Sequence, residues 1–330
     1  MLFEKQVVGV YKKTMHARCD DTDTVFYFSA ENFEGLSKES YTFKASAGHT
    51  LQGYIYEYPN AKTDRLVVFD HGFGGGHRAY MKEIEMLCRH GYTVFSYDHT
   101  GCMESGGDSP NGMAQSLCDL NDCISTLKAD ARFAGRSIAV IGHSWGGFST
   151  ANISALHPEI THVVDIAGFV AVKEIIDSLV TGVLKYYRKA IMNVEHEANP
   201  IFADFHAVES LKKSRAKALL IYSEDDHIVN RRNFDILKEG LADRENTRFL
   251  LVSGKRHNPN YTEKAVGLLK EFSDAKHKLL KNKKVTVEER RAFAPAKGVQ
   301  AYRQRHAAHV LPQRAPQQKP YPQLGYVVCD

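Results

Sequence analysis

Ser144 stands between glycines in Gly142-His143-Ser144-Trp145-Gly146, directly after the apolar run Ile138-Ala139-Val140-Ile141. A β-like run before it and a helix-like run after it force the chain to reverse direction at the serine. Such a turn leaves the central residue strained and pushed toward solvent, and it has no room for neighbouring Cβ atoms. The start of the following helix puts unpaired backbone N–H groups beside the hydroxyl, where an oxyanion can collect. The pattern G-x-S-x-G is common by itself. In its strand-and-helix context it marks Ser144 as a candidate nucleophile, with an ordinary glycine-rich turn as the competing explanation.

Other apolar runs have the character of buried parallel strands: Leu66–Phe69, Tyr92–Phe95, His162–Ile166, Ala218–Ile221 and Phe249–Val252. Near-continuous apolar character is expected where both faces of a sheet are covered. Leu51–Tyr56 alternates instead, as an antiparallel edge does. Helix-period stripes lie between the runs. Tyr80, Ile84, Leu87 and Cys88 form one, ended by Gly91; Met113, Leu117, Leu120, Ile124 and Leu127 form a second; Val266, Leu269, Phe272, Lys276 and Leu279 mark a late helix. Strands alternating with helices predict an α/β fold, a mostly parallel doubly wound sheet covered on both faces. At 330 residues with 43% hydrophobic content, one large core in one main domain, residues 1–290, is the expectation.

Residues 168–217 interrupt the alternation. Ile175, Ile176, Leu179, Val180, Val183, Leu184 and Tyr187 recur at helical spacing among Lys173, Lys185, Arg188 and Lys189. This segment reads as a short helical lid supplying an apolar wall, or else as a helix packed on the sheet without substrate contact.

Net charge is +4, but seven Lys/Arg against one acid fall between Arg290 and Asp330, leaving the rest of the chain slightly acidic. The body therefore offers no argument for nucleic-acid binding. The basic segment 291–330 holds five of the ten prolines and most of the glutamines, the composition of a weakly ordered tail. Six cysteines (Cys19, Cys88, Cys102, Cys118, Cys123, Cys329) show no C-x-x-C spacing, as expected of thiols in a reducing compartment. There is no signal-like start and no run of ~20 apolar residues. The expectation is a cytoplasmic protein without stable membrane insertion.

His71-Gly72-Phe73-Gly74-Gly75-Gly76 follows the Leu66–Phe69 strand, and a glycine-rich turn there lets backbone N–H groups approach a ligand. No Lys-Ser/Thr follows it as a phosphate loop needs, and the dinucleotide-binding spacing is missing. H-E-x-x-H is absent and Asp225-Asp226-His227 is too local for a ligand set, so neither cofactor nor metal is expected. Together with Ser144 the turn suggests an oxyanion site, with Phe73 N–H and Trp145 N–H as donors.

These pieces resemble an α/β-hydrolase, most similar to the serine aminopeptidase S33 and monoacylglycerol-lipase-like group. The matching text is His71-Gly72-Phe73-Gly74, Gly91-Tyr92-Thr93-Val94, Asp98-His99-Thr100-Gly101-Cys102-Met103-Glu104-Ser105 and Gly142-His143-Ser144-Trp145-Gly146, spread over about residues 40 to 275. Thr100 and Cys102 depart from the group, where many relatives carry Arg and Gly or His.

A serine hydroxyl needs a base, itself oriented by an acid, and the resemblance implies the chain order Ser, Asp/Glu, His. Ser223-Glu224-Asp225-Asp226-His227-Ile228-Val229 follows a strand. Aligning the group's G-x-x-D-x-x-V on Val229 selects Asp226 as the acid, with Asp225 as rival. His257, in Ser253-Gly254-Lys255-Arg256-His257 after the last strand, takes the place of the base. His71 and His143 are expected to support loops, and His227 to lie on the surface. The implied activity is hydrolysis of a small-molecule carboxylic ester through an acyl-enzyme. Aminopeptidase and thioesterase chemistry on the same residues, and a non-catalytic ligand-binding protein on this fold, are the alternatives. Glu195 and Glu197 are either acids that hold a substrate amine or exposed helix acids.

Overall fold

A computed structural model describes residues 3–20, 27–62 and 64–282, with Val285, Thr286, Glu289 and Ala292. The tail expected from 291 onward lies, apart from Ala292, outside these. The chain divides into two compact units, 1–20 with 28–259, and 21–27 with 260–330.

In the first unit, helix α1 (Glu4–Met15) precedes strands β1 (Ser37–Lys44), β2 (Thr50–Glu57) and β3 (Arg65–Asp70). Helix α2 (Met81–Arg89), β4 (Thr93–Tyr97), α3 (Gln115–Ala129), β5 (Ser137–His143), α4 (Trp145–Ile153) and β6 (Ile160–Ile166) follow. Then come α5 (Val172–Leu179), α6 (Arg188–Ala198), α7 (Ala207–Lys213), β7 (Lys217–Ser223), α8 (Arg231–Gly240) and β8 (Thr247–Val252). The described part of the second unit is chiefly α9 (Glu263–Lys281), whose first turn is capped by the Thr262 hydroxyl accepting from Ala265 N–H at 3.1 Å.

All eight strands join one sheet in the order β1-β2-β4-β3-β5-β6-β7-β8. The pairs β1/β2 and β2/β4 are antiparallel and the rest parallel. Each apolar run forms a strand, and along β3, β4 and β5 the side chains alternate between two cores. Leu66 and Val68 join one core with Ile138 and Val140, packed with Leu117, Leu120 and Phe148 from α3 and α4. Val67 and Phe69 join the other, with Ile84, Leu87 and Cys88 from α2. Continuous apolar runs are therefore what a sheet covered on both faces demands.

The stretch 168–217 departs from a single long helix. It breaks after α5, where Val180 leaves helical geometry and Gly182 takes φ +60° before a 3-10 turn at Gly182–Tyr187 leads into α6. Ile175 and Ile176 are core, whereas Val183, Leu184 and Tyr186 are exposed. An antiparallel bridge between Ala171 and His206 ties the two ends of the excursion together.

Asp165, at the end of β6, is fully buried under the first turn of α4. A Cβ on Gly147 would meet its Oδ1 at 2.5 Å. Gly168 N–H donates to Oδ1 at 2.7 Å, while the Tyr222 hydroxyl lies 2.6 Å from both Asp165 Oδ2 and the Gly168 carbonyl. One phenol proton cannot serve two acceptors, so a protonated Asp165 that donates to Tyr222 Oη satisfies every group. Burial pushes its pKa up to about 7, against the hydrogen bonds from Tyr222 and Gly168. A carboxyl raised on folding stabilises the native state at low pH, and that contribution is lost as pH rises from ~3.9 through about 7. Asp165→Asn, whose amide can donate to Tyr222 permanently, should be more stable than wild type at pH 8.5 by roughly 2–4 kcal/mol, with little difference at pH 4. Urea unfolding at both pH values reads this directly. A variant weaker than wild type at pH 8.5 would mean that folding does not raise the Asp165 pKa.

Candidate active site

In a parallel sheet the carboxyl ends of the strands share one rim, which is where loops can bring distant residues together. β3, β5, β7 and β8 run parallel, and the segments holding His71, Ser144, Asp226 and His257 each follow one of them. Ser144 takes φ 57° and ψ −108°, a strained backbone for a residue with a side chain. Its N–H donates to the Ile166 carbonyl at 2.8 Å, and Phe148 N–H donates back to the Ser144 carbonyl at 3.0 Å. Side chains at the flanking glycines are ruled out by backbone: a Cβ on Gly142 would overlap the Gly146 carbonyl, and one on Gly146 the Asp70 carbonyl.

The His257 ring spans the gap between hydroxyl and carboxylate. Its Nε2 lies 2.8 Å from Ser144 Oγ and its Nδ1 lies 2.6 Å from Asp226 Oδ2. Asp226 is buried, and its Oδ1 accepts N–H groups from Ile228 at 2.8 Å and Val229 at 3.1 Å. Asp225 faces elsewhere. Its Oδ1 accepts from Ser223 Oγ at 2.6 Å and from Lys255 and Arg256 N–H at 3.2 Å each, pinning the loop before His257. The Ser223 hydrogen bond foremost holds the Asp225 carboxyl below its ordinary range.

Phe73 and Trp145, whose amides were the expected oxyanion donors, adjoin one another, their rings edge to face at 5.2 Å. Neither N–H donates to an acceptor among the described residues. Trp145 is buried and its indole N–H donates to the Met113 carbonyl at 2.6 Å.

His143 links the two sides of the rim. Its Nε2 lies 2.7 Å from the His257 carbonyl, which can only accept, so that nitrogen carries the proton. Burial lowers the His143 pKa to about 3, with His257 adding to the effect, so the ring is neutral and Nδ1 accepts from the Tyr80 hydroxyl at 2.8 Å. Tyr80 Oη in turn accepts Gly72 N–H at 3.0 Å. The glycine-rich turn and the His257 loop are thereby joined by one polarised chain of hydrogen bonds. His143 is thus a loop support, as expected, and His227 is exposed.

Beneath the turn lies an ion cluster that the residue pattern did not disclose. His99 sits between Asp70 (Nε2 to Oδ1, 2.9 Å) and Asp119 (Nδ1 to Oδ2, 3.2 Å), all three with no exposed side chain. The contact with Asp70 is off line for a hydrogen bond, so its attraction is ionic. Burial pulls the imidazole down, but Asp70 and Asp119 together raise it to about 10, so it is a cation at neutral pH. Asp70 also accepts from Ser149 Oγ, and Asp119 from Thr100 N–H and Oγ1 at 2.7 Å each and Gln115 at 2.8 Å. His71 lies against His99 and takes its backbone N–H at 2.9 Å. Burial foremost, and the His99 cation, lower the His71 pKa to about 4.

Glu195 meets neither expectation made for it. It is fully buried, accepting from Tyr11 Oη and Met113 N–H at 2.6 Å each, and it joins α6 to α1 and to the turn that holds the Trp145 indole. Glu197 is exposed. Among the described residues, no three His, Cys, Asp or Glu side chains converge as a metal-ligand set, and no helix is long and apolar enough to cross a membrane.

Residues 61–204 match the family model of serine aminopeptidase, S33. The uncharacterized protein YqkD of Bacillus subtilis (strain 168) is 24% identical over 161 residues, which is 48% of this chain. That match spans 50% of the curated relative's own length. Among solved structures, the Pyrococcus furiosus esterase Pf2001 superposes with a TM-score of 0.59 at 18% identity, over 79% of this chain and 98% of that one. A puromycin-hydrolyzing peptidase of Mycobacterium tuberculosis gives a TM-score of 0.53 at 15% identity, over 72% of this chain and 38% of the other. At such identities the structural likeness speaks for the fold, and it agrees with the sheet order and the family match. The chain has the α/β-hydrolase fold, and through residues 61–204 it is similar to serine aminopeptidase S33.

Proposed function

We propose that this protein is a serine hydrolase that cleaves a small to medium acyl or aryl ester through an acyl-enzyme on Ser144. The observation that carries the proposal is the unbroken succession Ser144 Oγ, His257 Nε2, His257 Nδ1, Asp226 Oδ2, at 2.8 and 2.6 Å. His257 takes the hydroxyl proton as Ser144 Oγ attacks the ester carbonyl, and Asp226 holds the imidazole tautomer that leaves Nε2 free to do so. The Phe73 and Trp145 amides receive the oxyanion. His257 then protonates the departing alcohol, and water releases the acyl group by the same steps reversed. In this reading residues 1–290 form the hydrolase domain and 168–217 its lid, with Val183, Leu184 and Tyr186 as the apolar surface offered to substrate.

Peptide or thioester hydrolysis would use the same groups. Of the two acids considered for a substrate amine, Glu195 is already engaged by Tyr11 and Met113 and Glu197 is exposed to solvent. That favours the ester.

Labelling with a fluorophosphonate probe tests the nucleophile. Wild type should be modified at one site and Ser144→Ala should not be modified at all. An unlabelled wild-type protein would point instead to a non-catalytic binding protein. A panel of p-nitrophenyl esters against aminoacyl amides then tests the substrate class, with turnover of the esters expected to dominate.

A further inference from the structure

Two thiols outside the proposed catalytic set face one another. The backbones of Cys19 and Cys102, the latter in the loop after β4, form an isolated parallel bridge. Cys19 N–H donates to the Gly101 carbonyl at 2.8 Å and Met103 N–H to the Cys19 carbonyl at 2.9 Å. Arg18 fastens the same segment across the loop, donating to the carbonyls of Met103 at 2.5 Å, Gly107 at 2.6 Å and Ser105 at 3.1 Å. Paired backbones stand roughly 4.8 Å apart, within the ~4.4–6.8 Å Cα separation that a disulfide spans. The paired thiols are neighbours that shift one another's proton affinity, and the Cys19 thiol lies 3.8 Å from the Ala17 carbonyl.

Their surroundings divide the roles. Cys102 is fully buried and Cys19 half-buried, so a small oxidant meets Cys19 first. The neighbouring Cys102 foremost, then Gly74 and the His99 cation, lower the Cys19 thiol to about 7, against burial and Asp20. The neighbouring Cys19 and burial push Cys102 far up. One sulfur is available as thiolate while the other keeps its proton, the arrangement of an attacking and a resolving cysteine. Cys88, Cys118 and Cys123 lack this environment, since burial raises all three.

We propose that Cys19 and Cys102 are an oxidation site, closing to a reversible intramolecular disulfide when the protein meets a peroxide. The Cys19 thiolate attacks one oxygen of hydrogen peroxide, forming an S–O bond as the O–O bond breaks and hydroxide leaves. Cys102 sulfur then attacks the sulfenic sulfur. The S–S bond forms, and the hydroxyl departs as water with the Cys102 proton. In sum, two thiols lose two hydrogens and peroxide becomes two waters. The site stands whether or not Ser144 is a nucleophile.

The full-length protein, treated with stoichiometric hydrogen peroxide, blocked with iodoacetamide and digested without reductant, should yield peptides joined through Cys19 and Cys102. Dithiothreitol should return them to separate peptides. Cys19→Ser should yield no joined pair. Cys102→Ala should leave Cys19 as a sulfenic acid that dimedone captures. The proposal is overturned if wild-type Cys19 advances to the sulfinic acid while Cys102 stays reduced. Joined peptides that pair Cys19 with other cysteines as often as with Cys102 would overturn it too. Both readouts come from the wild-type chain, so neither depends on a variant folding.

Discussion

Asp226→Asn should lower kcat about 10⁴-fold, and Ser144→Ala about 10⁶-fold, in steady-state hydrolysis of a p-nitrophenyl ester. The expectation for Asp226 follows from the two faces of its carboxylate. Oδ1 accepts N–H groups from Ile228 and Val229, so an asparagine must keep its oxygen there. The new NH₂ then points at His257 Nδ1 and forces that nitrogen to accept. The ring proton moves to Nε2, which faces Ser144 and can no longer take a proton from it. Asp225→Asn can keep its Oδ1 hydrogen bonds to Ser223, Lys255 and Arg256 and should lose less than about tenfold, a half-buried pinning contact being worth ~1 kcal/mol. If Asp225→Asn were the more damaging change, the acid would have been assigned to the wrong residue.

His99→Leu should destabilise the fold by roughly 3–5 kcal/mol, because it strands Asp70 and Asp119 in a site with no exposed side chain. The cost arises from uncompensated buried charge, so packing gained by the leucine cannot offset it. Since folding raises the His99 pKa to about 10, the stabilisation is complete below the ordinary imidazole value of ~6.5 and is lost as pH rises through about 10. Urea midpoints followed from pH 6 to 10.5 should therefore fall for wild type, while this window should be absent from His99→Leu. A loss under about 1 kcal/mol at pH 6, the value of an ordinary neutral hydrogen bond, would show that no cation is held there.

The strands were legible because a sheet covered on both faces needs apolar side chains at every position, and such runs stand out. β1 was not, since only Phe43 in Ser37–Lys44 is buried and an edge strand with exposed faces carries no apolar signature. Helix α1 escaped notice for a similar reason, with Tyr11 its only fully buried residue. The stripe from Ile175 to Tyr187 misled in the opposite way: its helical spacing is real, but Gly182 at positive φ breaks it into a buried half and an exposed half.

That Ser144 and His257 would meet was legible in the chain because a sharp strand-to-helix turn demands glycines, and because loops after parallel strands end at one rim. Those are local and topological demands, written in neighbouring residues. Choosing Asp226 over Asp225 by contact, recognising His99 as a buried cation, engaging Glu195 with Tyr11, and pairing Cys19 with Cys102 all depended on partners dozens of residues away. Charge state and hydrogen-bond direction are properties of what surrounds a group in space, so only the folded chain could decide them.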